Sequence, residues 1–86
     1  MELEQFAKKE IEKIENVMNE IKLVDVNGDE LLELAKAYFK DAKHFFDKQQ
    51  YLQAFEAAVI VWAYIDAGLH MKVFSVPEKF LKMFTV

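Results

Sequence analysis

The sequence predicts an all-α fold, a three-helix antiparallel bundle with a short C-terminal tail. Three observations lead there. Apolar residues recur at helical spacing in three separate segments, and the two breaks between those segments are short and polar, which places consecutive helices antiparallel. The chain has 86 residues, enough for one domain, 1–86, but so small a domain buries only about 60–65% of the surface its unfolded chain exposes.

The first helix is expected at about 3–23. Ala7, Ile11, Ile14, Met18 and Ile21 alternate in steps of four and three and form one apolar stripe, while Glu, Lys and Asn fill the other faces. Glu4 and Lys8 form an i,i+4 pair in the favoured order. "VDVNGDE" then breaks the pattern. Asn-Gly punctuates a turn, and Asn27 followed by Glu30 suits a capping box at the start of the next helix. Asp25, Asn27 and Asp29 alternate like the first ligands of a calcium loop, but Gly28 stands fourth rather than sixth and Lys36 holds the twelfth position, where a bidentate Glu is required.

A second helix, about 29–48, carries Leu31, Leu34, Ala35, Tyr38, Ala42 and Phe45 as one stripe with Leu32, Phe39 and Phe46 beside it. "DKQQY" makes the short turn into a third helix, about 51–71, whose recurring alanines 54, 57, 58, 63 and 67 suit close approach by neighbours and a central position. The tail, 72–86, places Ser75 and Pro77 ahead of Glu78, a cap for one short helical turn.

The third helix raises the main question. From Ala57 to Ile65 it has nine apolar residues in succession, whereas a helix flanked by two neighbours should keep a polar face toward water. Either the tail folds back over it, using Val73, Phe74, Val76, Phe80, Leu81 and Phe84, or a second copy covers it. Hydrophobic residues make up 53% of the chain and eight are Phe, more apolar surface than a domain of this size readily hides. A homodimer is the expectation.

Composition excludes several function classes. The net charge is −4 and Arg is absent, which argues against nucleic acid, since phosphate contacts need basic surface and favour Arg. No Cys is present, so there is no disulfide framework, thiolate nucleophile or Cys-ligated zinc. The charged start "MELEQFAKKEIEK" lacks the apolar core of a signal peptide, and nine apolar residues fall short of the roughly 20 of a membrane span. These points place the protein in the cytoplasm, with no membrane contact.

"YFKDAKHFFDKQQYLQAFEAAVIVWAYIDAGLHMKVF", together with the closing "MFTV", resembles the archaeal family catalogued as domain of unknown function 357. That family's hairpin has a pattern like Tyr-x-x-Asp-Ala-x-x-Phe, an acidic-Tyr turn, Ala-Phe and Trp-Leu-Asp-Ala-Gly. The matching positions here are Tyr38, Asp41, Ala42, Phe45, Tyr51, Ala54, Phe55, Tyr64, Ile65, Asp66, Ala67 and Gly68. Where the family tends to have Gly-Asp-Tyr this chain has "KQQY", and Tyr64 stands for the usual Trp while a Trp occurs at position 62. The resemblance implies a helical bundle and brings no chemistry with it.

Reactive side chains are sparse. Ser75 and Thr85 are the only hydroxyls besides tyrosine, and His44 and His70 have no clustered third ligand, so no catalytic residue, metal site or cofactor is expected. Lys36, Lys40, His44 and Lys48 follow at i,i+4 steps, with Lys43 beside them. They form a basic ridge that an acidic peptide or phosphate would suit and that a solvated surface explains equally. Glu56 and Asp66 bracket the apolar run, and Asp66 is either a structural anchor, paired to Tyr38, Tyr51, a lysine of the first helix or His70, or a partner contact. Asp66, Trp62, Tyr64 and Glu56 are the candidate contact residues. The function these features support is a non-catalytic protein-interaction or assembly module with an unidentified protein partner. The alternative is a small-ligand-binding or RNA-processing accessory domain, which a pocket lined jointly by Glu56, Asp66 and aromatic groups would favour.

Overall fold

Three long helices form the body of the protein: α1 (Glu2–Glu20), α2 (Asp29–Asp47) and α3 (Tyr51–His70), with a short α4 (Glu78–Leu81) in the tail. The computed structural model describes residues 2–84; Thr85 and Val86, which complete "MFTV", lie outside them. Two two-residue strands, β1 (Lys22–Leu23) and β2 (Phe74–Ser75), pair antiparallel with Leu23 opposite Phe74 and Lys22 opposite Ser75.

α1 ends at Glu20, three residues before the expected boundary, because the chain leaves the helix to pair with the tail. Val24 N–H extends this clip by donating to the Val73 carbonyl at 2.9 Å. The stripe of α1 is as expected, with Ala7 and Ile14 buried and Ile11, Met18 and Ile21 packed at the edge, joined by buried Val17.

The expected Asn27 capping box does not form. The Asp25 side chain instead accepts from Asn27 N–H at 2.9 Å and opens a 3-10 turn, Val26–Gly28, and Gly28 itself caps α2. Gly28 is buried, and a Cβ there would lie 2.6 Å from Val73. The turn must come this close to the tail, so only Gly fits.

α2 and α3 make a hairpin across residues 48–50, with Gln49 in the left-handed region at φ 63°. The seam of α2 is Leu32, Ala35, Phe39 and Ala42, whereas Leu34 of the expected main stripe is 40% exposed. The seam lies between the two expected stripes, taking Ala35 and Ala42 from the main one and Leu32 and Phe39 from the one beside it, and the alanines admit α3. α3 buries Ala54, Ala57, Ala58, Val61, Ile65 and Gly68 against its neighbours. Small side chains on both helices bring the backbones together, and fully buried Ile14, Val17, Val61 and Ile65 fill the centre, each stabilising by about 1.5–3 kcal/mol.

Gly68 lies inside α3 and serves packing: a Cβ there would come within 2.0 Å of the Phe74 ring. The helix is terminated later, at Lys72 with φ 61°, and Val73 N–H donates to the Gly68 carbonyl at 3.0 Å. The tail then crosses the bundle. Ser75 is taken into β2 rather than capping, Pro77 is the N-cap of α4, and Phe80 is buried against Val61 and Ile65. Lys79 pairs with Glu20 at 3.0 Å and holds the tail to the end of α1.

By length and composition α3 is apolar enough to cross a membrane, which the nine-residue run did not predict. In the bundle it is the helix on which α1, α2 and the tail all pack.

Candidate functional site

The tail answers only half of the question that α3 poses. It covers one flank through Phe80 and through Phe84, whose ring meets Trp62 edge-on with centroids 5.2 Å apart. The outward face stays uncovered: Leu52 is 52%, Val59 47% and Ile60 38% exposed, and Ala63 between them is exposed as well. Between Ala57 and Ile65 the chain offers this face no hydrophilic side chain, the run having only the hydroxyl of Tyr64, and exposed Glu56 and His70 stand toward its ends.

A groove lies on each side of this face. Toward the tail, Val59, Trp62, Ala63, Asp66, Met83 and Phe84 enclose about 280 Å3. Toward α2, Tyr38, Asp41, Phe45, Gln53, Glu56 and Ile60 border about 200 Å3. Glu56 and Asp66 therefore border different grooves, and neither groove is the joint pocket that would favour a ligand-binding role.

Trp62 and Tyr64 hold the helices together. Trp62 Nε1–H donates to Glu10 Oε1 at 3.0 Å, and Lys13 lies 3.1 Å from the other Glu10 oxygen, so one carboxylate joins α1 to α3. Tyr64 stacks on Tyr38 with centroids 5.7 Å apart and joins α3 to α2. Asp66 reaches His70 Nε2 at 3.8 Å one turn on, with the carboxylate partly exposed. Of the tyrosines proposed as its donors, Tyr38 is engaged with Tyr64 and Tyr51 faces Glu4. Partial desolvation, then the charge of Glu4 and a hydrogen bond to its carboxylate, raise the Tyr51 pKa above its ordinary value of 10.0.

The basic ridge is exposed at Lys36, Lys40, His44 and Lys48, with Lys48 just beyond the end of α2. Lys36 pairs with Glu33 at 3.4 Å, and Lys43 lies 4.4 Å above the Phe39 ring. None of the ridge lysines lines either groove beside α3. Nor does any group of three His, Cys, Asp or Glu side chains among the described residues have the arrangement to hold a metal ion.

A family model described as protein of unknown function, DUF357, matches residues 4–74. The chain belongs to the DUF357 family. A solved DUF357 structure, protein AF1782 from Archaeoglobus fulgidus, superposes with a TM-score of 0.77 at 29% identity, covering 88% of this chain and 95% of that one. Among curated proteins no sequence matches. The DUF357 match spans the outward face of α3 from Leu52 to His70 and ends at Phe74, so Met83 and Phe84 of the tail-side groove lie beyond it.

Glu10 and Met83 are site residues that sequence reasoning missed. Glu10 is 52 positions from Trp62, and no local pattern could have paired them. Phe84 was legible as an apolar tail residue, though its seat on Trp62 was not.

Proposed function

We propose that this DUF357 protein is a non-catalytic interaction module whose binding surface is the outward face of α3. One observation carries the reading: the helix that forms the centre of the bundle leaves Leu52, Val59 and Ile60 exposed on its far side. Folding gains nothing from apolar groups in that position, and a contiguous apolar strip rimmed by Glu56, Asp66 and His70 has the make-up of a protein contact. The sparse reactive side chains agree with this, since His44 and His70 sit on different helices and Ser75 is engaged in β2. The family brings no assigned activity. The net charge of −4 and the absence of Arg favour protein over nucleic acid as the partner, and the absence of Cys suits a cytoplasmic setting.

The test compares the parent with the triple variant Leu52→Gln, Val59→Gln, Ile60→Gln. Both are immobilised, exposed to the same cell extract, and their bound proteins identified by mass spectrometry. The reading expects the variant to melt like the parent but to lose the proteins, or further copies of the chain itself, that the parent retains. Equal retention on both would overturn it.

A further inference from the structure

The outward face of α3 has a charge pattern that selects one occupant. Glu56, Ala63 and His70 are spaced by seven residues, and all three are exposed. A heptad drifts by only ~20° around a straight helix, so they lie nearly in line, with a carboxylate at one end, an imidazole at the other and the smallest side chain at the centre. Leu52, Val59 and Ile60 flank this line.

We propose that the face pairs with a second copy of itself, α3 against α3, antiparallel about a two-fold axis at Ala63. This rests on the reading of the face as a protein-binding surface and specifies its partner. In that arrangement Glu56 of each copy stands opposite His70 of the other, and Ala63 meets Ala63. A parallel pairing would set Glu56 against Glu56 and His70 against His70, so charge selects the antiparallel sense. The outward side of α2 is far more polar, presenting Lys36, Lys40, Lys43 and His44 together with Glu33, Asp41 and Asp47.

Ala63 also suits the crossing sterically, because no side chain beyond Cβ holds the helices apart there and packed axes approach to about 8–10 Å. The polar pair lies about 10 Å from the axis of symmetry, at 1.5 Å rise per residue, and so at the rim of the contact. There it sets register more than it adds affinity. Asp66, 3.8 Å from His70, holds the ring beside that rim. The groove between Val59 and Phe84 gives the apolar side chains of the second copy a place to seat.

Cysteine cross-linking tests the register directly, since the chain has no cysteine of its own. Two axes about 8–10 Å apart, less two Cα radii of about 2.3 Å, leave Cα atoms about 3.4–5.4 Å apart at the crossing, which overlaps disulfide geometry. Ala63→Cys under mild oxidation should become a covalent dimer. Leu52→Cys, on the same face but about 33 Å from its own counterpart in this register, should stay uncrosslinked. Glu56→Lys should weaken association about tenfold by sedimentation, and adding His70→Glu should restore it. Equal cross-linking of the two cysteine variants, or association indifferent to Glu56→Lys, would overturn the proposal. A parent that stays monomeric while the triple Gln variant loses a different bound protein overturns self-pairing alone. Loss of neither overturns the interaction reading too.

Discussion

Gly68→Ala sets two effects of opposite sign against each other. Inside a helix, Ala is preferred to Gly by about 0.8–1.0 kcal/mol, so on propensity the variant should be more stable. The new Cβ, however, would stand 2.0, 2.3 and 2.7 Å from Cδ2, Cε2 and Cγ of Phe74. Carbon atoms pack at about 3.5–4.0 Å, so the ring must retreat by about 1.5 Å. It has little room to do so. Phe74 is 4% exposed, packs with Leu32 and Val73, and pairs through its backbone with Leu23. Overpacking a core costs about 1–3 kcal/mol, and an approach of 2.0 Å belongs in the upper part of that range, about 2–3 kcal/mol, so the net loss should be about 1–2 kcal/mol. For a domain of this size that lowers Tm by roughly 5–15 °C. The assay is thermal unfolding followed by far-UV circular dichroism, repeated with Phe74→Ala as the background. Without the ring the clash is gone and only propensity remains, so Gly68→Ala should then stabilise by about 0.5–1 kcal/mol. If Phe74→Ala, expected to cost about 3–5 kcal/mol, is too unstable to measure, Phe74→Leu should reduce the penalty in the same direction. A rise in Tm when Gly68→Ala is made in the otherwise unchanged chain would refute the reasoning.

Gln49→Gly should stabilise by about 0.5–1 kcal/mol, seen as a raised urea midpoint, because Gln49 holds φ 63° in the hairpin turn and Gly adopts that region without a Cβ penalty. The family tends to have Gly at this point of its turn, and the backbone angle supplies the reason. Trp62→Phe keeps a ring against Phe84 but loses the donor to Glu10. It should cost about 1–2 kcal/mol by urea titration, while Glu10→Gln, which retains an acceptor, should cost less. Tyr51 binds its proton more tightly folded than unfolded, since its pKa is raised from 10.0. Its contribution is fully present below pH 10.0 and falls as pH rises through the folded value. Tyr51→Phe should flatten that alkaline slope in melting temperature, and an identical slope in both proteins would exclude Glu4 and Tyr51 as its origin.

The helices were legible because each repeats its apolar positions over several turns, and α2 and α3 end within a residue of the expected boundaries. The β1–β2 clip was not legible, since two-residue strands are too short to show a period. It took Lys22 and Leu23 from the expected first helix and Ser75 from the expected cap. The α2 register was ambiguous because its apolar face is broader than its contact. For α3 the difficulty was of another kind: with no polar side chain except Tyr64 between Ala57 and Ile65, sequence could say that something apolar needed covering but not which side the fold would leave open. Asp66 and Glu56 bracket one apolar run in the sequence, yet they border different grooves.

The claim that this open face is a binding surface for the chain itself is tested most directly by sedimentation equilibrium of the parent and Val59→Glu across roughly micromolar to submillimolar concentration, the range in which a modest interface assembles. The parent should pass from the 10.1 kDa monomer toward twice that mass, while Val59→Glu, altered at a side chain 47% exposed, should fold alike and stay monomeric. A parent that remains at 10.1 kDa throughout, indistinguishable from the variant, would contradict it.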